Sequence, residues 1–443
     1  MASLIQLLHL LAAVGIEVKY PSSNPTIDGD TKCEVLIKTG LGNPEPVFLD
    51  RDNKLWYPNG PALVWKGGES TLIACPGNTI FNTGSSTASI TCFAGTIFTL
   101  NGLSHLVDIS KVHCVERPKG SVQNTHRGCA YGGTLLNVGF RVLGVGFVPY
   151  FQSCYKMWKA SVSYTRHVID GAAINYKIPI TQEEKDNLFF EPAEVPPGLE
   201  PQSAYSQINQ EPRFTQLLGS EDQARSYITS TSFLTRGHLT PYGDGIFRSW
   251  RWATYFFVNA APQWRVTNAG NWEVVEKAAR DVSGRLKEEL LVFTGTHDIL
   301  MLTDVDGQHV EITLVADRIQ VPKWYWKIIK SNKKDAAIAL VSNNDPFRTS
   351  MPAGEMLCQN ICDKHGWSNP LYANFGRGYT YCCKVDDLRL AIPSIPNEAN
   401  AANVLRYDGN IDSATGASWT HDELRCLSTK IDTNNSELRR MTL

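Results

Sequence analysis

One stretch of the chain places an arginine and a histidine on either side of a glycine: Thr235-Arg236-Gly237-His238-Leu239-Thr240-Pro241. Asn259-Ala260-Ala261-Pro262-Gln263 follows, then Asn268-Ala269-Gly270-Asn271-Trp272, then Glu276. These residue types suit hydrolysis of a phosphodiester. Water needs a base that is neutral near physiological pH, and an imidazole is one. Charge developing on phosphorus needs a cation, and the planar guanidinium of Arg236 matches phosphate oxygens. The leaving oxygen needs a Lewis acid. Magnesium takes oxygen ligands and keeps most of its water, so one Asn carbonyl can suffice as its protein ligand. A glycine between Arg236 and His238 suggests a sharp backbone position that turns both side chains into one site.

The elements around these residues must hold them. Apolar residues at Trp272, Val275, Ala279, Val282, Leu286 and Leu290 follow helical spacing and predict a helix from about 272 to 291, with Asn268 ahead of it and Gly295 behind it. Glu276, eight residues after Asn268, then falls on about the same helix face. Strands are expected at 290–293, 310–315 and 336–341. Residues 182–224 are polar and rich in Pro and Glu, and read as a long surface loop or insertion. Upstream, Gly139–Phe147 and Ala160–Ile169 show partial alternation. Residues 30–120 read as short strands broken by turns: Cys33-Glu-Val-Leu-Ile-Lys, Ala62-Leu-Val-Trp-Lys and Ser89-Ile-Thr-Cys-Phe-Ala-Gly-Thr-Ile-Phe.

Each residue also has a plainer reading. A lone His after Gly is usually a loop residue, Asn268 a helix cap, Glu276 a solvated helix residue and Trp272 core. Arg248-Ser-Trp-Arg251-Trp interleaves basic and aromatic side chains, which suits phosphate contact and base stacking but equally an amphipathic strand. Lys327, Lys330, Lys333 and Lys334 form a run that can follow a phosphate backbone or face water.

At 443 residues the chain is too long for one compact core, so two or three domains are expected. The formal net charge of −2 gives no global positive field, so a polyanionic substrate must be attracted by a local patch. Eleven cysteines cluster at both ends, with none between Cys154 and Cys358, the pattern of disulfide staples in an oxidising compartment. The odd total leaves one thiol free or paired to another chain. A zinc site at Cys358, Cys362, Cys382 and Cys383 is the weaker reading, because adjacent cysteines suit a zinc knuckle poorly. Residues 4–15 resemble a signal-peptide core and are too short to span a bilayer; a buried N-terminal helix is the alternative. Asn434-Asn435-Ser436 is a glycosylation sequon in a polar tail.

Arg-Gly-His, then Asn-x-x-Pro-Gln 21 positions on, then Asn-x-Gly-x-Trp-x-x-x-Glu 9 further, resembles the DNA/RNA non-specific endonucleases. Val321-Pro-Lys-Trp-Tyr-Trp-Lys327 is similar to a lysine-bearing strand of that family. The resemblance covers about residues 130–390, and the Cys-rich N-terminal extension looks most like arthropod secreted nucleases, including gut double-stranded ribonucleases. It implies an α+β fold: a ββα-metal nuclease core with an antiparallel sheet and helices, preceded by a small disulfide-stapled β domain. The implied layout is a signal peptide at 1–16, a β-rich region at 30–120, the nuclease domain at 125–400 and a polar tail at 401–443.

The resemblance also implies roles. His238 is the general base, Asn268 the magnesium ligand, Glu276 the holder of metal-bound water, Arg236 the arginine near the scissile phosphate and Asn259 a supporting asparagine. Gln263, Arg248, Arg251 and Lys327 are candidates to bind substrate, and Arg213 is a candidate for a further family arginine. The family usually has Asp where this chain has Thr235, which removes a carboxylate beside the site. The implied activity is magnesium-dependent cleavage of RNA or DNA to 5′-phosphorylated products, with manganese as a substitute and double-stranded RNA one candidate substrate. The setting would be extracellular, such as a gut lumen, with no membrane partner and no expectation on oligomeric state. The competing reading is a catalytically silent secreted protein that binds nucleic acid or glycan on the same fold.

Overall fold

The computed structural model describes residues 31–413 apart from 102–105, 183 and 185–186. The proposed signal segment, Cys426 and the sequon lie outside the described residues.

The strand-forming N-terminal stretches build two small antiparallel sheets. Lys32–Leu36 pairs with Ala62–Lys66. Five strands form the other, in the order Val47–Phe48, Ser70–Ala74, Thr87–Ala94, Ile97–Leu100 and Leu106–Asp108. The expected single strand from Ser89 to Phe98 is two, reversed at Gly95 (φ 61°). Trp65 fills the core here, ringed by Phe48, Trp56 and Phe98.

A ten-stranded sheet dominates the rest. From one edge it runs Ser121–Gly128, Thr134–Val142, Gly146–Lys156, Ser161–Asp170, Glu289–Ile299, Pro322–Ser331, Ala336–Asn343, Asn403–Leu405 and Ile411–Ser413, with Thr380–Cys383 also on Ala336–Asn343. The 139–147 segment holds a hairpin turn at residues 143–145 rather than one continuous strand. Ala336–Asn343 is buried throughout because both sheet faces are covered, and its neighbour carries Trp324, Tyr325 and Trp326. Residues 403–413, expected in a loose polar tail, join this sheet because Val404 and Leu405 bury against it.

The helix spans Glu273–Leu286, shorter than its apolar periodicity suggested. Lys287 turns left-handed (φ 52°) and the chain enters a strand at Glu289, so Leu290 is a strand residue. Gly295 is no helix stop: it lies inside that strand, where a Cβ would meet Trp326 Cζ2 at 2.2 Å. The helix buries Val275, Ala279 and Val282 against the sheet, each valine contributing about 1.5–3 kcal/mol.

The expected long loop at 182–224 instead holds three helices in its second half: Pro201–Ala204, Gln207–Leu218 and Glu221–Tyr227. Ser220 caps the last by accepting from Gln223 N, and Phe214 and Leu218 bury on Trp264 and its neighbours. Local polarity hid an amphipathic helix with few apolar anchors.

Five disulfides use every cysteine in the described residues: Cys33–Cys92, Cys75–Cys114, Cys129–Cys154, Cys358–Cys383 and Cys362–Cys382. The last two replace the zinc reading, since bridged sulfurs hold no metal. The odd cysteine is Cys426.

Candidate active site

Two short antiparallel strands, Leu234–His238 and Ala260–Trp264, carry the centre of the site, with His238 opposite Ala260 and Thr235 opposite Gln263. The helix Glu273–Leu286 follows them, giving strand, strand, helix in chain order. Arg236 and His238 share a face because they are two apart on a strand, not because the backbone bends sharply. Gly237 is required for another reason: a Cβ there would lie 2.6 Å from Gln263 Oε1 and 2.8 Å from Gln263 Cβ.

Rings of Phe190 and Tyr255 each stand 4.8 Å from the His238 ring. Burial among them drops its pKa from 6.5 to about 4, so the imidazole is neutral at physiological pH. Its Nε2 is buried without a protein partner. Proton exchange with solvent therefore falls to Nδ1. Arg236 is held in an aromatic cage, 5.3 Å from the Tyr205 ring centre, 5.7 Å from Phe257 and 6.0 Å from Phe190, and donates from Nη2 to Gln202 O at 3.3 Å. Burial lowers its pKa, but a guanidinium stays charged.

Asn259 is fully buried and spends its amide on the backbone. Oδ1 accepts from Thr240 N at 2.8 Å, and Nδ2 donates to Thr240 O and Thr254 O, both at 2.9 Å. It locks the turn after His238 and leaves no polar atom for substrate.

Asn268 is not a helix cap. It has helical angles (φ −60°, ψ −52°) and begins a π-helical turn, Asn268–Trp272, broken at Gly270. Arg377 O would be 2.7 Å from a Cβ at Gly270, so only glycine lets these backbones approach. Asn268 Nδ2 donates to Thr235 Oγ1 at 3.1 Å, leaving the Oδ1 carbonyl without a protein donor. Glu276 is 17% exposed. Burial raises its pKa to about 7, opposed by the charges of Lys327 and Arg280.

Lys327 does not belong to a solvated lysine run. It is fully buried, with Nζ on Thr294 Oγ1 and 5.4 Å from the Trp272 ring, beneath the helix that bears Glu276. Gln263 is likewise fully buried, with neither amide atom bonded to protein.

Three further candidates are not at this site. Arg248 and Arg251 lie on a short helix, Arg248–Trp252, not a strand. Arg248 pairs with Glu45 (3.3 Å) and Glu184 (3.1 Å), tying the N-terminal sheets to the rest. Arg251, 4% exposed, donates to Gly245 O at 2.7 Å. Arg213 bonds Thr313 O and Oγ1 and Gln216.

Sequence reasoning missed a buried polar group beside Glu276. Arg280 Nη1 is 2.9 Å from Asp244 Oδ1 and 4.0 Å from Glu276 Oε2. Asp244 Oδ2 is 2.9 Å from His167 Nε2. The four-residue step from Glu276 to Arg280 was a visible signal; the 77-residue separation of His167 and Asp244 gave none.

Among the described residues no three His, Cys, Asp or Glu side chains gather as a metal cage. The donors are oxygens, the free Asn268 carbonyl and the Glu276 carboxylate. That set fits a hard divalent cation that keeps most of its water. A cavity of about 430 Å³ borders Ala260–Pro262 and is walled by Tyr131, Trp158 and Thr296, but none of these site residues lines it.

The family model for DNA/RNA non-specific endonucleases matches residues 131–388. A salivary endonuclease of Lutzomyia longipalpis is 29% identical over 80% of this chain and 83% of its own length. Salivary protein Tsal1 of Glossina morsitans morsitans is 24% identical over 85% and 94%. The structure of an EndoG/EndoGI complex covers 49% of this chain and 80% of the matched chain, with TM-score 0.31 and 18% identity. With the match extending over more than half of its length, the chain belongs to the DNA/RNA non-specific endonuclease family, whose members are phosphodiester hydrolases.

Proposed function

We propose that this chain is a secreted, magnesium-dependent endonuclease that cuts RNA, DNA or both to 5′-phosphorylated products, with His238 as general base. The observation that carries the reading is His238 itself: a neutral, desolvated imidazole on the same strand face as a caged arginine. A base uncharged at working pH can take a proton from water at Nδ1. Arg236 supplies positive charge to the phosphate, and its aromatic cage fixes that charge without neutralising it. Asn259 holds the turn after His238, so the ring stays in register with the strand pair. Asn268 would hold the magnesium, or manganese in its place, and Glu276 would hold water bound to it. When bound, the metal would polarise the phosphate and stabilise the departing 3′ oxygen.

Secretion is supported by the five disulfides, by the salivary relatives and by the apolar segment at residues 4–15. No described helix is long and apolar enough to cross a membrane. The test is cleavage of four substrates, single- and double-stranded RNA and DNA, with and without EDTA. EDTA-sensitive nicking of closed circular DNA or internal cutting of RNA is expected. Absence of any such cleavage would leave the silent-binder reading instead. The relative rates decide whether double-stranded RNA is preferred.

A further inference from the structure

Two carboxylates compete for one guanidinium beside the proposed metal ligands. Arg280 Nη1 sits 2.9 Å from Asp244 Oδ1 but 4.0 Å from Glu276 Oε2. Glu276 and Arg280 are four apart on one helix, the spacing at which such pairs ordinarily close. Here that contact is long, at 4.0 Å, while Asp244 holds the arginine at 2.9 Å. Asp244 can do so because it is set in place from the far side: His167, itself 1% exposed, donates Nε2–H to Asp244 Oδ2 at 2.9 Å. The His167 ring is aligned in turn by Thr240, whose Oγ1 is 3.4 Å from Nδ1 and whose backbone is held by Asn259. Gly243 clears the path, since a Cβ there would meet Arg280 Nη1 at 2.9 Å. Burial pushes the Asp244 carboxyl up, but the His167 hydrogen bond and the Arg280 charge outweigh it and hold it at about 2. The carboxylate is therefore charged at any working pH.

We propose that Asp244 is a positioning residue that sequesters Arg280 and so keeps the Glu276 carboxylate free to hold metal-bound water. This rests on the nuclease reading for the role of Glu276, though the competition itself is a property of the three side chains. Without Asp244, the carboxylate left in contact range is Glu276, since Asp281, which also acts on Arg280, is paired with Lys277. Rotation of its guanidinium closes the 4.0 Å gap, and Glu276 becomes an ion-pair partner instead of a water holder. Charge-assisted bonds of this kind are strong enough to compete with a weakly held hydrated cation.

The experiment measures Mn²⁺ binding by electron paramagnetic resonance, without substrate, alongside kcat and KM, for four proteins: wild type, Asp244→Asn, Arg280→Gln and the double variant. Asp244→Asn should weaken Mn²⁺ binding about tenfold and lower kcat more than KM changes, the size of one charge-assisted bond. The double variant should recover Mn²⁺ affinity to about the wild-type value, because no arginine is left to capture Glu276. Thermal midpoints separate this from general loosening. If Asp244 were merely structural, the double variant would bind Mn²⁺ as poorly as Asp244→Asn or worse, and that result overturns the proposal. A wild type that binds Mn²⁺ but cuts nothing would refute the nuclease reading while leaving the competition measurable.

Discussion

Thr235 Oγ1 accepts a hydrogen bond from Asn268 Nδ2 at 3.1 Å while donating its own proton to Gln263 O at 2.9 Å. One hydroxyl thus joins the proposed metal ligand to the strand pair that carries His238. The residue that departs from the family pattern still does a job at the site. It fixes which end of the Asn268 amide points away from the strands. Thr235→Val keeps the shape and removes both bonds. It should cost about 1 kcal/mol of stability and raise the metal concentration for half-maximal activity several-fold. A metal titration identical to wild type would show that Asn268 is oriented by something else.

Removing the base is the direct test of chemistry. His238→Ala should lower kcat on the order of 10²–10⁴-fold, with KM close to wild type, since the ring is buried between Phe190 and Tyr255. Single-turnover cleavage at saturating metal measures it. A loss confined to KM would make His238 a binding residue.

Burial sets the pH at which His238 works. Its folded pKa, about 4, lies below the ordinary 6.5, so the acid limb of kcat/KM should fall well under pH 6. The same shift affects stability. A depressed folded pKa contributes stability that is complete above about 6.5 and is lost as pH falls toward about 4. Phe190→Ala admits water to the ring and should move the acid limb upward. A limb that stays in place would show that Phe190 is not what desolvates the imidazole.

Arg251 should behave as a fold residue, not a substrate ligand. Arg251→Ala leaves Gly245 O without its buried donor and the Tyr242 ring without its cation, a loss of about 1–3 kcal/mol, the cost of one unsatisfied buried acceptor. The salt dependence of nucleic-acid binding should be unchanged, because no phosphate contact is lost. A shallower slope of log affinity against log salt would return Arg251 to the interface.

What the sequence disclosed of the site was what lies close along the chain: the pairing of Arg236 with His238, though not the strand that carries them, the asparagines, and Glu276 on its helix. Fixed spacing conveyed these because each step spans one local element. The cysteine clustering disclosed the staples but not their partners. Contacts between distant segments were hidden. His167 and Asp244 meet only because a central strand of the large sheet passes under the turn after His238. Lys327 looked like the start of a lysine run, yet it points inward, since alternate residues of a strand face opposite sides. The interleaved Arg248–Trp252 pattern misled because its anchor, Glu45, lies some 200 residues upstream. The π turn at Asn268–Trp272 left no periodic trace, because one extra backbone residue barely disturbs an apolar stripe.

Cys382 and Cys383 are neighbours on one strand, so their side chains leave opposite faces of the large sheet, one into each of the two cores that flank it. Their partners, Cys362 and Cys358, sit at the start of the excursion from 358 to 383. A peptide bond cut anywhere between 363 and 381 therefore leaves both fragments covalently tethered, and doubly so. This excursion can be nicked without releasing the last sheet strands. Such a molecule would run as one species on a non-reducing gel and as two after reduction.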